Sequence, residues 1–150
     1  MTGWRIGFAV GNREAVSALS IIKTNVDSGI FKAIQKAGIQ ALTGPQDHIT
    51  ALNQMYTERR NVVIEGLEEL GWNIEKPKAT FYIWIQTPQG QKSIDFANIV
   101  LEKTGVIVTP GVGYGQHGEG YVRIALTVDV PRIKEAMNRF KKANIFFQKP

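Results

Sequence analysis

The sequence predicts an α/β protein that ends in a small α+β domain, and two observations support this. Helical periodicity dominates residues 13–70. After Gly71, short segments rich in aromatic and β-branched residues alternate with helical segments. A chain of 150 residues can form one domain with a core plus part of another. We therefore expect a strand–helix remnant of a larger domain at 1–44, a long connecting helix at 45–71 and a small domain at 72–150.

The N-terminal part is predicted to contain one strand and two helices. Residues 4–10 alternate between apolar side chains and Arg, Gly or Ala, which is the period of a strand. A turn at Gly11 and a helix from Arg13 follow, and the polar stretch 24–29 predicts a loop before a second helix at 31–42. Because a lone strand cannot bury both faces, we expect the rest of this sheet to lie in sequence upstream of the chain.

The central and C-terminal parts predict one long helix followed by a compact α+β unit. Apolar residues mark one broad face from Pro45 to Leu70, and a helix of that length would span ~39 Å. Ser93 is predicted to cap the next helix, and Asp129 begins the last one. Three strands are predicted, at residues 80–86, 106–108 and 121–126.

Composition argues against several classes of protein. Hydrophobic residues make up 43% and charged residues 21%, which is typical of a globular chain. There is no cysteine, which fits a reducing compartment, so we expect a cytoplasmic protein. The net charge of +5 is scattered along helical patterns, and apolar runs are short, so neither nucleic-acid nor membrane binding is expected. His48 and His117 lack partners at metal-ligand spacing, so we expect no metal site.

Arg123 is the most informative residue, because it lies between Val122 and Ile124 in an otherwise apolar strand. A guanidinium stays protonated in proteins, and burying it unpaired is costly. It therefore needs an acidic partner, an anionic ligand or access to solvent. A planar guanidinium can bind a carboxylate through two parallel hydrogen bonds. The spacing leaves three interpretations open: an ion pair with an Asp or Glu of the chain, a ligand carboxylate, and a side chain that reaches solvent.

Three further features of the sequence could indicate a ligand site, and each also has a simpler structural interpretation. Arg5 is also a single charge in an apolar segment, and it fits either an anionic ligand or an exposed strand edge. The loop 110–120 contains a G-x-G-x-x-G pattern, but a strand follows it instead of a helix, so we reject a dinucleotide fold. Tyr82 and Trp84, on one predicted strand, are more typical of a core than of a ligand site.

Three stretches together form a specific pattern. They are Met1–Gly7 (MTGWRIG), Ala79–Trp84 (ATFYIW) and Val106–Ile124, which contains TPG, YG and GYVRI. Their order and spacing resemble the class I/II aminotransferases of fold type I over essentially all 150 residues. The resemblance implies pyridoxal 5'-phosphate as cofactor and amino acids and 2-oxo acids as substrates. It also implies that Arg5 binds the cofactor's phosphate and that Arg123 binds the substrate's α-carboxylate.

The same resemblance implies roles for less conspicuous residues. Phe81 or Tyr82 would line the substrate side of the site, and Tyr114 with its neighbouring glycines would form part of a mobile lid. Because the family forms homodimers with shared active sites, Asn25 would reach the site of the partner subunit.

Two stretches in the N-terminal part resemble one particular group within this family. Lys23–Gly29 and Ala41–Gln46 are similar to LL-diaminopimelate aminotransferases. This implies LL-diaminopimelate as amino donor, with 2-oxoglutarate and glutamate as the other substrate pair. An aspartate-type aminotransferase is the alternative.

The chain departs from the family pattern at its most reactive residue. No lysine here lies in the motif of the Schiff-base lysine, so no catalytic residue is assigned. Since that lysine anchors the cofactor and carries protons, the 150 residues alone are expected to be inactive. We expect them to be a piece of a longer enzyme beginning at an internal methionine. The alternative is a stand-alone binding module derived from the same domain.

Overall fold

A computed structural model describes residues 3–88 and 90–147 of the chain. Within these ranges the elements are α1 (Arg13–Val26), α2 (Lys32–Thr43), α3 (Asp47–Glu68), β1 (Tyr82–Gln86), α4 (Ser93–Thr104), β2 (Thr109–Pro110), β3 (Tyr121–Ala125) and α5 (Val130–Lys142). The chain divides into two compact units, Met1–Thr50 and Ala51–Pro150, which we call the N-terminal unit and the C-terminal unit. Helix α3 runs across the division, and it is shorter than predicted, with 22 residues. No helix of the described ranges is both long and apolar enough to cross a membrane.

The N-terminal unit consists of two helices and an irregular leading segment. The side chain of Asn12 caps α1 by accepting hydrogen bonds from the backbone N–H groups of Glu14 and Ala15, at 2.9 and 3.1 Å. No residue of α1 is buried, and α2 buries only Gly38. A Cβ on Gly38 would lie 2.8 Å from Ile6 Cδ1, so this glycine allows the leading segment to approach α2.

Two predictions for the N-terminal unit are wrong. The segment 4–10 forms no strand, because a strand needs a neighbour for its backbone hydrogen bonds and the described part of this unit contains none. The loop predicted at 24–29 begins too early, since α1 continues to Val26. Within the last turn of α1, Thr24 and Asn25 donate side-chain hydrogen bonds to carbonyl groups one turn back.

The C-terminal unit is built on a three-stranded antiparallel sheet in the order β1-β3-β2. The central strand β3 pairs along its whole length with β1, so that Ile83 lies opposite Ile124 and Ile85 opposite Val122. The predicted strand at 106–108 is misplaced, because the segment that pairs with β3 is Thr109–Pro110. Residues 106–108 precede that pairing, and Ile107 is 82% exposed.

One apolar core holds this unit together. It lies against one face of the sheet, as expected for an antiparallel sheet with one solvated face. Helices α3, α4 and α5 cover that face, with Leu67, Phe96 and Phe140 each at most 2% exposed. The opposite face of the sheet is free of the core, and it carries the polar side chains that matter below.

Candidate functional site

Arg123 lies at the centre of the sheet's outer face. It occupies the middle of β3, opposite Trp84 of β1 and Thr109 of β2. Because side chains alternate along a strand, Val122 points into the core and is fully buried, while Arg123 is half-buried on the other face. The sheet thus fixes the backbone on both sides of the arginine.

Two tyrosine rings contact the guanidinium, and we call this pair the aromatic clamp. The central guanidinium carbon lies 3.8 Å from the ring centroid of Tyr82 and 4.3 Å from that of Tyr114. Both distances are well within the range of cation–π attraction. The rings of Trp84 and Tyr114 meet in a T-shaped arrangement, with 5.5 Å between their centroids. Tyr82, Tyr114 and Arg123, which lie on three separate segments of sequence, are therefore brought together as one cluster.

No carboxylate group among the described residues forms an ion pair with Arg123. Its Nε atom is buried and has no hydrogen-bond partner within this part of the chain. A buried unpaired donor costs about 1–3 kcal/mol. The aromatic clamp supplies attraction to the charge without using up the N–H groups, so the guanidinium keeps its hydrogen-bonding capacity for an anion.

The core assignment of Tyr82 and Trp84 is wrong. Both side chains lie on the outer face of the sheet with Arg123, and Trp84 is 42% exposed. Phe81 is the residue that packs towards the core, stacking on Tyr56 at 5.8 Å. A shallow depression of about 390 Å³ lies beside the aromatic clamp and is lined by Trp84, Tyr114, His117, Gly118 and Tyr121.

The glycine-rich loop, residues 111–120, is folded into two short 3₁₀ turns, Gly111–Tyr114 and Gln116–Gly118. A Cβ on Gly111 would overlap the carbonyl oxygen of Gly118, and a Cβ on Gly118 would overlap that of Gly111. Glycine at both positions therefore lets the two ends of the loop touch. Tyr114 lies at the end of the first turn, which sets its ring on Arg123.

Sequence reasoning missed Glu119, which binds the start of α4. Its carboxylate accepts hydrogen bonds from the backbone N–H of Ser93 at 2.6 Å, the backbone N–H of Gly120 at 2.9 Å and the hydroxyl of Ser93 at 3.2 Å. The hydrogen bonds from these backbone N–H groups, that of Ser93 foremost, lower the pKa of Glu119 below its ordinary value of 4.5. The sequence feature that could have pointed to Glu119 is its position as an acidic residue between two glycines.

The prediction that Ser93 caps α4 is also wrong. The N-cap position is Lys92, which makes no side-chain cap, and Ser93 is the first residue of the helix. The helix N-terminus is instead satisfied from a distance, since Glu119 accepts the Ser93 N–H. Ser93 is 0% exposed, and its hydroxyl oxygen also accepts a hydrogen bond from the Val112 backbone N–H at 3.4 Å.

Arg5 and Asn25 belong to the N-terminal unit. Arg5 is exposed, and no ion pair or hydrogen bond of its guanidinium is formed with the described residues. Its backbone has φ 52°, in the left-handed region that non-glycine residues rarely occupy and that often marks functional positions. A guanidinium without a partner among the described residues has the donor chemistry that fits a phosphate. The Asn25 amide donates to the Ile21 carbonyl at 2.7 Å.

The comparisons with known proteins place the chain. The family described as "Aminotransferase class I and II" matches residues 1–140, so the chain belongs to the class I and II aminotransferases. The predicted family and the fold class, a fold-type I aminotransferase fragment of mixed α/β structure, are both confirmed. Membership implies pyridoxal 5'-phosphate as the cofactor.

The curated relatives with high sequence identity are LL-diaminopimelate aminotransferases. The chain is 57% identical over 148 residues to the LL-diaminopimelate aminotransferase of Halothermothrix orenii and 54% identical over 142 residues to that of Moorella thermoacetica. It covers 38% and 36% of these relatives, with 99% and 95% of its own length. The chain thus spans well under half of the curated relatives it matches.

Solved structures give the same result. A substrate-bound BacF structure from Bacillus subtilis matches with a TM-score of 0.88 and 36% identity, over 99% of this chain and 38% of that one. The aspartate aminotransferase from Thermus thermophilus with maleate matches with a TM-score of 0.85 and 29% identity, over 95% of this chain and 38% of that one.

Proposed function

We propose that the intact protein is a pyridoxal-phosphate-dependent aminotransferase that transfers an amino group between LL-diaminopimelate and 2-oxoglutarate, forming glutamate. Arg123 carries this proposal. It is a half-buried cation with no described carboxylate partner, held by the aromatic clamp in a family whose substrates are α-amino and 2-oxo acids. LL-diaminopimelate is favoured over aspartate, because relatives named for it are 49–57% identical, against 29% for the aspartate enzyme.

Two arginines have separate tasks in this proposal. Pyridoxal phosphate, when bound, supplies the electron sink that allows bonds at the amino acid's α-carbon to break. Arg5 binds its phosphate through charged hydrogen bonds. Arg123 binds the α-carboxylate through two parallel N–H donors, which fixes the orientation of the α-carbon. The rings of Tyr82 and Tyr114 exclude water from the guanidinium and strengthen its interaction with the carboxylate.

The proposal extends to the organisation of the intact protein. Residues 1–44 belong to the large cofactor domain, 45–71 connect the domains and 72–150 form the small domain. The enzyme is a cytoplasmic homodimer in which Asn25 reaches the partner subunit's site. The 150 residues on their own do not transaminate, because none of their lysines lies in the cofactor-lysine motif.

Replacing Arg123 by lysine in the intact enzyme tests the carboxylate role. Lysine keeps the charge but loses the planar pair of donors, so kcat/KM for LL-diaminopimelate should fall by a factor equivalent to ~1.5–3 kcal/mol of transition-state stabilisation. Steady-state kinetics with LL-diaminopimelate, and with aspartate as the rival donor, measure this. Arg132→Lys is the matched control, because Arg132 lies exposed on α5 and pairs with Glu135. An unchanged kcat/KM in Arg123→Lys would show that Arg123 does not bind the substrate. A higher kcat/KM of the parent enzyme for aspartate than for LL-diaminopimelate would refute LL-diaminopimelate as the amino donor.

A further inference from the structure

The glycine-rich loop is fastened at both of its ends to the same point of the fold. Val112, near its start, donates its N–H to the Ser93 hydroxyl, and Glu119, near its end, accepts the N–H and the hydroxyl of that serine. Ser93 is 0% exposed and begins α4. The Glu119 carboxylate accepts three hydrogen bonds in this arrangement. Charged hydrogen bonds of this kind are the stronger ones.

Tyr114 lies between these two attachments. Its ring contacts both the guanidinium of Arg123 and the ring of Trp84. Tyr82 and Trp84 belong to strand β1, so the sheet fixes their backbone, whereas the backbone of Tyr114 belongs to the glycine-rich loop. The position of one half of the aromatic clamp therefore depends on how the loop is fastened.

We propose that Glu119 is a positioning residue for carboxylate binding. By fastening the loop to Ser93, it holds Tyr114 against Arg123, so that the guanidinium is ordered before a ligand arrives. The inference rests on the proposed role of Arg123 and adds the residue that orders its side chain before the ligand binds. Ordering a long side chain in advance removes part of the entropic cost of binding, and so it favours affinity without touching the reacting atoms.

Kinetics of the intact enzyme test this inference. Glu119→Ala should raise the KM for the amino acid roughly 3- to 10-fold, the cost of leaving one side chain unordered, while kcat stays within about twofold. The Kd of succinate, a carboxylate that cannot react, should rise by the same factor in calorimetry. Glu102→Ala is the control, because Glu102 is an exposed acid of α4 with no ion pair to the described residues. Glu119→Gln, which keeps the shape without the charge, should give a smaller rise and serves if the alanine variant misfolds.

A double-mutant cycle separates positioning from a general loss of structure. Tyr114→Ala should reproduce the KM rise, and Tyr114→Phe, which keeps the ring, should show a smaller one. If Glu119 acts through Tyr114, adding Glu119→Ala to Tyr114→Ala should raise KM little further. Additive effects, or an unchanged KM in Glu119→Ala and Glu119→Gln, overturn the inference. The Arg123→Lys variant distinguishes the two proposals. If its kcat/KM is unchanged, the carboxylate site itself is refuted. If its kcat/KM falls strongly while KM is unchanged in the Glu119 variants, only the positioning role of Glu119 is refuted.

Discussion

The two units of the chain contain similar kinds of residue but differ in what they bury. The C-terminal unit encloses sixteen buried hydrophobic residues in one core. The N-terminal unit has none within its described residues, and twelve of its large hydrophobic side chains, from Trp4 to Ile49, are exposed. Since apolar burial is the main source of folding stability, the described residues of the C-terminal unit supply such a source and those of the N-terminal unit do not.

The largest test of this difference uses one phenylalanine from each unit. Phe140 is 1% exposed and Phe8 is 73% exposed. In the 150-residue chain, Phe140→Ala should lower the free energy of unfolding by about 3–5 kcal/mol. Phe8→Ala should change it by less than about 0.5 kcal/mol. Urea unfolding followed by tryptophan fluorescence measures both, because Trp72 is part of the core.

The same pair in the intact protein sharpens the comparison. If further sequence covers the exposed face of the N-terminal unit, the cost of Phe8→Ala should increase there, while that of Phe140→Ala should not. Equal costs for the two substitutions in the 150-residue chain would show that the N-terminal unit has a core in solution, and the contrast would be lost.

The two arginines extend the comparison from stability to binding. Arg123 is held by two rings in a packed sheet, whereas Arg5 lies exposed in an irregular segment. In the intact enzyme, Arg5→Ala should weaken binding of pyridoxal phosphate by roughly 10- to 100-fold, which corresponds to losing charged hydrogen bonds. Dialysis followed by titration of the released cofactor measures this. Arg13→Ala is the control, because Arg13 is an exposed arginine of α1.

The outcome should differ between the two sites. Arg5→Ala should change cofactor retention more than the KM of the amino acid, and Arg123→Lys should do the reverse. Cofactor retention that is the same in Arg5→Ala and in the parent enzyme would refute the phosphate role.

The sequence was sufficient wherever a local pattern decided the structure. The helix from Arg13, the strand around Ile83 and the strand carrying Arg123 were all predicted, because each has its own periodicity and its own end signals. The strand at 4–10 failed for a physical reason: its pattern is that of a strand, but pairing needs a neighbour from outside the segment. The shift of β2 from 106–108 to Thr109–Pro110 likewise depended on the register against β3.

The candidate site shows the same limit. Arg123 could be singled out, because a charge in an apolar strand is a local anomaly. The aromatic clamp could not be derived from spacing, since Tyr82, Tyr114 and Arg123 meet only through strand pairing and loop closure. Glu119 was missed for a related reason. Its partner Ser93 lies 26 residues away, and the serine itself offered a simpler local explanation as a helix cap.

The smallest expected effect concerns the ionisation of Glu119. Because its pKa in the folded chain is lowered, the carboxylate contributes stability that is fully present above its ordinary pKa of 4.5 and is lost as the pH falls through the lower, folded value. The difference in unfolding free energy between the 150-residue chain and its Glu119→Gln variant should therefore be constant at neutral pH and shrink below about pH 4.5. Urea unfolding at several pH values measures it, with Glu102→Gln as the control for an exposed acid of the same unit. A difference that stays constant down to pH 3, or that grows as the pH falls, would mean that the Glu119 carboxylate does not fasten the loop, and the C-terminal unit would then owe its site to the sheet alone.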